Sequence, residues 1–386
     1  MSGLQINAQK TNTQVKTGHR VYLHHIQLIN YRNYPEASYA FSRQVTAFTG
    51  LNGTGKTNLL DAIYYLSALR SFLSYADQNV MRHGTDFFFI CGEFTRHHTR
   101  HTIRCQFKVG AGKEVSEDGT PYQRFSAHVG RYPMVLIAPQ DMELITGGSE
   151  VRRKFFDQVI SQVDAVYLQN LMIYQHTLQQ RNSLLDHFNR TQTWDEDLLL
   201  AYDEKLTDSG NKLIQRRKLF IENFQTELVN AYFKLSGQES VQVLYRSDIS
   251  GDDFASVLLT ARPRDRVLQR TTAGPHRDDY IFMMNGQELK KSGSQGQQKT
   301  FIAALKLAHY AHILEHTGFA PVLLMDDLFD KLDDIRVNRL LQLIATNKGQ
   351  VFITDAREER TRQALLKADL DFEIIQPGKT VIPSTT

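Results

Sequence analysis

The chain has 386 residues, 41% hydrophobic and 10% aromatic, with 45 Lys plus Arg against 42 Asp plus Glu for a formal charge of +3. This apolar content excludes global disorder, and the length suits two domains better than one core. The slight basic excess leaves a nucleic-acid partner open, whereas the absence of a long apolar run or an apolar leader predicts a soluble, cytoplasmic protein with no membrane partner.

Residues 1–20 are polar and aperiodic and read as a flexible extension, with structure expected from Val21. A strand-like start at Val21–Leu28 leads into Asn30-Tyr31-Arg32-Asn33-Tyr34. The apolar run Val45–Phe48 then meets a glycine-rich stretch, after which Leu59, Leu60, Ile63, Leu66 and Leu69 repeat at helical spacing. Short strands are expected at 86–94, 102–109 and 132–137. Cys91 and Cys105 lie in two of them without a C-x-x-C pair. His97, His98 and His101 between them read as a hairpin loop rather than a metal site.

From Val151 the period becomes helical. Phe155, Phe156, Val159, Ile160, Val163, Tyr167, Leu171 and Leu178 predict one long helix, followed by a polar stretch from Asn182 to Trp194. A second helix is expected over about 195–233, weakened or broken at Gly210. Segments near 266–270 and 280–284 look extended. A helix from Gln297 to about Glu315, a strand at Val322–Met325, a helix over 334–346 and a strand at Val351–Ile353 complete the pattern. This alternation predicts an α/β fold, a mostly parallel sheet covered by helices with a mainly helical insertion. The expected division is head 21–145, inserted domain 146–250 and head 251–386.

Gly50-Leu51-Asn52-Gly53-Thr54-Gly55-Lys56-Thr57 is a complete G-x-x-x-x-G-K-T, placed between a strand and a helix. Its glycines let backbone N–H groups turn toward phosphate, Lys56 would reach the β- and γ-phosphates, and Thr57 would ligate Mg²⁺. The residue after the motif, Asn58, joins the predicted nucleotide set. Asp326 and Asp327 end an apolar strand, which delivers them to the sheet edge where ligands bind. Asp326 is expected on the metal side and Asp327 at the attacking water, the alternative being that both only cap a helix. Ser294, Gly296 and Gln297 open a helix, and can serve either as a cap or as a γ-phosphate contact.

Ser294–Lys299, 32 residues before Asp326, resembles the signature motif of ATP-binding cassettes. In that superfamily one subunit's signature completes the site of another, which implies an ATP-sandwiched homodimer. Phe329–Asp333 resembles the D-loop. Gln140, in Ala138-Pro139-Gln140-Asp141, stands at the Q-loop position and is carried as a catalytic and metal-side candidate, with a surface loop as the other reading. Thr354-Asp355 stands at the switch position.

Leu28–Tyr34, Asn52–Asn58, Ala138–Asp141, Arg152–Asp157, Gly274-Pro275-His276-Arg277-Asp278-Asp279 and Ser294–Thr300 together resemble the RecF family of ATP-binding-cassette ATPases, over about residues 21–356. Gln140 stands where that family usually has an acid, and Asp330 where a serine is common. The resemblance implies a weak, DNA-stimulated ATPase of recombinational repair that uses ATP and Mg²⁺. It implies binding to double-stranded and gapped DNA as an ATP-dependent dimer, action with RecR and RecO to load RecA, and roles in replication and the damage (SOS) response. Arg152, Arg153, Lys154, Arg216, Arg217, Lys218, Lys290 and Lys291 are candidate phosphate contacts or solvated surface charges. Rival readings are another SMC/Rad50-like DNA-processing ATPase, a transport ATPase subunit, a nuclease relative, or an ATP-gated binding module with little turnover.

Overall fold

The computed structural model describes residues 19–74, 76–237, 240–249, 254–327, 333–346 and 349–378. Its centre is a five-stranded parallel sheet in the order β16-β4-β15-β14-β9. The strands are β4 (Val45–Thr49), β9 (Met134–Ile137), β14 (Val322–Met325), β15 (Val351–Asp355) and β16 (Phe372–Ile375). Both faces of this sheet are covered, so β4, β9, β14 and β15 are buried at every position and read as apolar runs rather than alternating patterns.

A six-stranded antiparallel sheet lies on one side, ordered β3-β2-β5-β6-β7-β8. It comprises β2 (Tyr22–Tyr31), β3 (Tyr34–Ala40), β5 (Phe87–Arg96), β6 (Thr99–Lys108), β7 (Gly112–Glu117) and β8 (Thr120–Pro121). Between the two sheets runs α1 (Lys56–Ala68), with Leu59, Leu60, Ile63 and Leu66 fully buried. His97 and His98 form the β5–β6 turn in left-handed conformation, as the hairpin reading expects. The two residues before Val21 are already a strand, β1 (His19–Arg20), which pairs with β13 (Phe319–Ala320). The rest of the predicted extension lies outside the described residues, as does the D-loop candidate from Phe329 to Leu332.

On the other side sit α3 (Ser149–Ser161), α4 (Ala165–Thr191), α5 (Glu196–Ser236), α6 (Phe254–Leu268) and α8 (Gln295–Thr317). A three-stranded sheet of β10 (Val241–Arg246), β11 (Asp279–Met284) and β12 (Gln287–Glu288) joins them. Single turns α2 (Glu143–Thr146) and α7 (Leu289–Ser292) precede α3 and α8. Two further helices, α9 (Asp334–Thr346) and α10 (Glu358–Lys367), flank β15 in sequence. One apolar core runs without interruption from Val45 and Val135 of the central sheet to Phe156, Leu213 and Phe224 of the helices.

Four local expectations are corrected. The long helix predicted from Val151 is two helices, because the Asp164 carboxylate caps a new start by accepting from the Tyr167 N–H at 2.9 Å. The polar stretch after Asn182 stays helical to Thr191. Its inner face is apolar, with Leu185 and Phe188 buried, while Arg181 just before it is fully buried and donates to Asp203 at 2.6 Å and Asp265 at 2.7 Å. Gly210 does not interrupt α5, which runs 41 residues. A Cβ there would meet the Phe254 ring at 2.6 Å, so the glycine is a packing requirement for α6. The segment 266–270 is the end of α6 and a turn, not a strand.

Candidate nucleotide site

Gly50, Gly53 and Gly55 all have positive φ, the conformation in which glycine alone is unstrained, and they curl the backbone between β4 and α1. At Gly55 a side chain is excluded twice over. Its φ is 98°, and a Cβ would stand 2.6 Å from the Asn33 amide and 2.8 Å from the Tyr34 hydroxyl. Those two residues hold the loop from outside: Tyr34 donates to the Gly55 carbonyl at 3.0 Å and the Asn58 amide to Asn33 at 2.8 Å. Deeper in, Asp61 is fully buried and accepts from Tyr31 at 2.8 Å, Arg32 at 2.9 Å and the Phe72 N–H at 2.8 Å. The Asn30–Tyr34 stretch thus acts as a brace that fixes α1 and the loop at its start. Sequence reading placed this stretch by resemblance only; the missed signal was Asp61, an acid on the apolar face of a helix.

Lys56 is buried and folds back over the loop, donating to the Gly50 carbonyl at 2.7 Å and the Leu51 carbonyl at 2.9 Å. An ammonium in contact with two carbonyls is a cation held by partners that a phosphate can outcompete. Leu51 itself projects outward, 80% exposed, and Thr54 donates to its carbonyl at 2.9 Å. Thr57 donates to Asp326 Oδ1 at 2.9 Å, although the two are 269 positions apart. Two oxygen donors of this kind, a hydroxyl and a carboxylate, suit a hard dication such as Mg²⁺.

Asp326 and Asp327 follow β14 directly, and the Asp326 N–H donates to the Ile137 carbonyl of β9 at 2.9 Å. Among the described residues neither acid is seen to cap a helix, and the segment that follows Asp327 lies outside them. Asp326 is 3% exposed, and Asp327 adopts φ 50°. At the switch position Thr354 donates to Asp326 Oδ1 at 2.7 Å and accepts from the Asp327 N–H at 2.9 Å. Asp355 is diverted elsewhere: it accepts from the Arg357 N–H at 3.0 Å, Arg360 at 2.9 Å and Thr361 at 2.9 Å, and so holds the start of α10.

Gln140 sits in the single turn after β9 and lines a cavity of about 420 Å³ with Tyr64, Arg70, Phe155, Lys306 and His309. Its Nε2 is buried without a hydrogen-bond partner among the described residues, an unmet donor rather than a solvated surface amide. The neighbouring Asp141 is engaged by Lys306 at 2.6 Å. No hydrogen bond links Gln140 to Thr57 or Asp326 among the described residues.

Ser294 caps α8 in a reciprocal box: its hydroxyl accepts from the Gln297 N–H at 3.2 Å, and the Gln297 side chain accepts from the Ser294 N–H at 2.9 Å. The capping reading is therefore correct, and it leaves the turn facing outward. Ser294 and Gly296 are exposed, nothing lies within 4 Å of a Cβ at Gly296, and no described hydrogen bond joins the turn to this chain's own phosphate loop.

The candidate DNA contacts divide sharply. Arg217 is an internal residue: it donates to Asp157 at 2.8 Å, Asp278 at 3.0 Å, the Pro275 carbonyl at 2.7 Å and Tyr167 at 3.0 Å. Arg152 grips Asp279 through two nitrogens at 2.8 and 3.0 Å, and Arg153 donates to the Asp278 carbonyl at 2.6 Å. These arginines are removed from the DNA set, because the Gly274–Asp279 stretch is a joint locking α3 and α5 to β11. His276 in that joint is bonded to Tyr174 at 2.6 Å, and burial pushes its pKa down to about 4. Lys154, Arg216, Lys218, Lys290 and Lys291 remain at the surface.

A family model described as the RecF/RecN/SMC N-terminal domain matches residues 22–374. A DNA replication and repair protein RecF from Flavobacterium johnsoniae is 41% identical over 352 residues, covering 90% of this chain and 97% of the relative. The RecF protein of Cytophaga hutchinsonii is 41% identical over 93% of this chain and 96% of its own length. Among solved structures, the recombination mediator protein RecF with ATP in the RecFOR pathway superposes with a TM-score of 0.82 at 30% identity, covering 88% of this chain and 93% of that one. An Smc head domain from Pyrococcus furiosus superposes at 0.52 with 16% identity, which shows a shared fold alone.

Proposed function

This chain belongs to the RecF family, and from that premise we propose that it serves recombinational DNA repair as an ATP-gated, DNA-binding homodimer. The observation that carries the dimer is the division of the site. Lys56, Thr57, Asp326 and Thr354 are joined in one chain, while the exposed Ser294 turn faces outward and no described hydrogen bond joins it to the phosphate loop. A second copy would bring its Ser294, Gly296 and Gln297 to the γ-phosphate, where a hydroxyl and helix-start amides are suitable donors.

In this reading the backbone of Gly50–Asn58 cradles the phosphates after Lys56 leaves its two carbonyls for them. Thr57 and Asp326 would hold Mg²⁺, with the Gln140 side-chain oxygen on the metal side; the ion would neutralise charge on the β- and γ-phosphates. Asp327 polarises the attacking water. Head segments 21–145 and 251–386 close on nucleotide, and the inserted segment 146–250 follows through the Arg217 joint. Lys154, Arg216, Lys218, Lys290 and Lys291 are the surface cations available to DNA phosphates. We assign RecR and RecO as partners and RecA loading as the outcome, at double-stranded and gapped DNA in the cytoplasm. Among the described residues no helix is long and apolar enough to cross a membrane.

The test has two arms. Sedimentation with and without ATP should show a dimer only with ATP; a strict monomer with ATP and DNA both present sinks the proposal. Turnover measured alone, with duplex and with gapped duplex should rise with DNA, and the rise should vanish in Lys56→Ala.

A further inference from the structure

One hydroxyl joins the two acids of the nucleotide site. Thr354 is next to last in β15, the middle strand of the central sheet, which separates β4, the strand that feeds the phosphate loop, from β14, the strand that feeds Asp326 and Asp327. The residue is completely buried. Its Oγ1 donates to Asp326 Oδ1 at 2.7 Å and accepts from the Asp327 N–H at 2.9 Å. The same Asp326 oxygen accepts from Thr57 at 2.9 Å. A threonine hydroxyl has one proton and two lone pairs, so it can serve as donor and acceptor at once. Here the two uses face neighbouring residues of one strand end: the side chain of the first acid and the backbone of the second.

The backbone of Asp327 makes the second use matter. Its φ of 50° is left-handed, a region that a non-glycine residue occupies only when its surroundings hold it there. The Thr354 hydroxyl supplies a hydrogen bond at that residue's N–H. Asp355 cannot share the task, since its carboxylate is bonded to Arg357, Arg360 and Thr361 at the start of α10.

We propose that Thr354 is a positioning residue for the nucleotide site: a latch on the central strand that aims the Asp326 carboxylate at Thr57 and holds Asp327 in its left-handed turn. The role is exerted on the acids and not on the phosphate, and it rests on the ATPase reading of the site. Valine has nearly the shape of threonine and no hydroxyl, so Thr354→Val removes the latch while filling the space, and Thr354→Ser keeps the hydroxyl and loses the methyl.

The experiment uses the full chain and three readouts. In nucleotide-free protein, amide exchange at Asp327 should quicken by about tenfold or more in Thr354→Val and stay near wild type in Thr354→Ser. ATP affinity without Mg²⁺ should stay within about twofold in both variants, while the gain in affinity on adding Mg²⁺ should shrink by about fivefold or more in the valine variant alone. Turnover should fall by about tenfold or more with KM within about threefold in the valine variant, and return to within about threefold of wild type with serine. A valine variant with unchanged exchange, Mg²⁺ gain and turnover overturns the latch. So does a serine variant as defective as valine, which would assign the effect to the packing of the side chain and not to its hydroxyl. If the wild-type chain itself binds no ATP, the ATPase reading fails, and the exchange readout still decides the latch.

Discussion

The nucleotide site and the Gly274–Asp279 joint are both buried and polar, yet their charges are satisfied in opposite ways. In the joint, Arg217 meets two carboxylates, a carbonyl and a phenol, and Arg152 meets Asp279 through two bonds. In the nucleotide site, Lys56 rests on two backbone carbonyls and Thr57 on the acid it would share with a metal. A guanidinium locked between carboxylates specifies one arrangement and is costly to part with. A cation resting on neutral carbonyls leaves its charge available, and a phosphate is a better partner. The difference separates a part built to stay from a part built to receive.

The largest expected effect is at the joint. Arg217→Met leaves Asp157 and Asp278 buried without their cation, and should destabilise the chain by about 3–5 kcal/mol in urea unfolding. A loss below about 1 kcal/mol would mean that the joint is solvated. Lys56→Ala should do the reverse: turnover falls on the order of a hundredfold while the unfolding midpoint hardly moves, because no buried carboxylate loses its partner. Equal losses of stability in the two variants would erase the contrast.

Gly210→Ala extends the test to the helices that carry the joint. The added methyl meets Phe254, and unfolding should show a loss of about 1–3 kcal/mol although alanine is the better helix former. A gain in stability would show that α6 yields easily.

Acid should strike the packed regions next. Burial pushes His128 and His276 down to about 4, so both are neutral in the fold at pH 7. The unfolded chain takes up their protons near pH 6.5 and the folded chain only near 4. Their contribution is thus complete above 6.5 and is lost as pH falls between those values, about 2 kcal/mol each of it by pH 5. Urea midpoints at pH 7 and pH 5 check this, and His276→Gln should flatten part of the slope.

The smallest effect on stability is expected at the surface. Lys218→Ala should change it by less than about 0.5 kcal/mol, yet lower the slope of log DNA affinity against log salt by about 0.9 if that lysine meets a phosphate. An unchanged slope removes it from the DNA set.

Much of this molecule was legible in the residue string, for reasons that are local. The phosphate loop needs glycines at set positions, a lysine and a hydroxyl at a helix start, and all lie within eight consecutive residues. Strands buried on both faces announce themselves as apolar runs, and an acid pair after such a run marks a sheet edge. What failed was equally instructive. Gly210, read as a helix break, is where Phe254 needs space; Arg152 and Arg217, read as surface charge, are the inner bolts of a joint. A glycine or an arginine looks the same in a sequence whether it faces water or a partner more than a hundred residues away.

The sequence by itself determined the parallel sheet, the glycine loop between strand and helix and the two acids at the end of a neighbouring strand, because covalent order and hydrophobic period suffice for those. Only the tertiary structure decided that Thr354 bridges the acids, that Asn33, Tyr34 and Asp61 brace the loop, and which basic residues are inside. Those facts depend on side chains meeting partners as far as 127 positions away, and such meetings are set by packing, which no local pattern records.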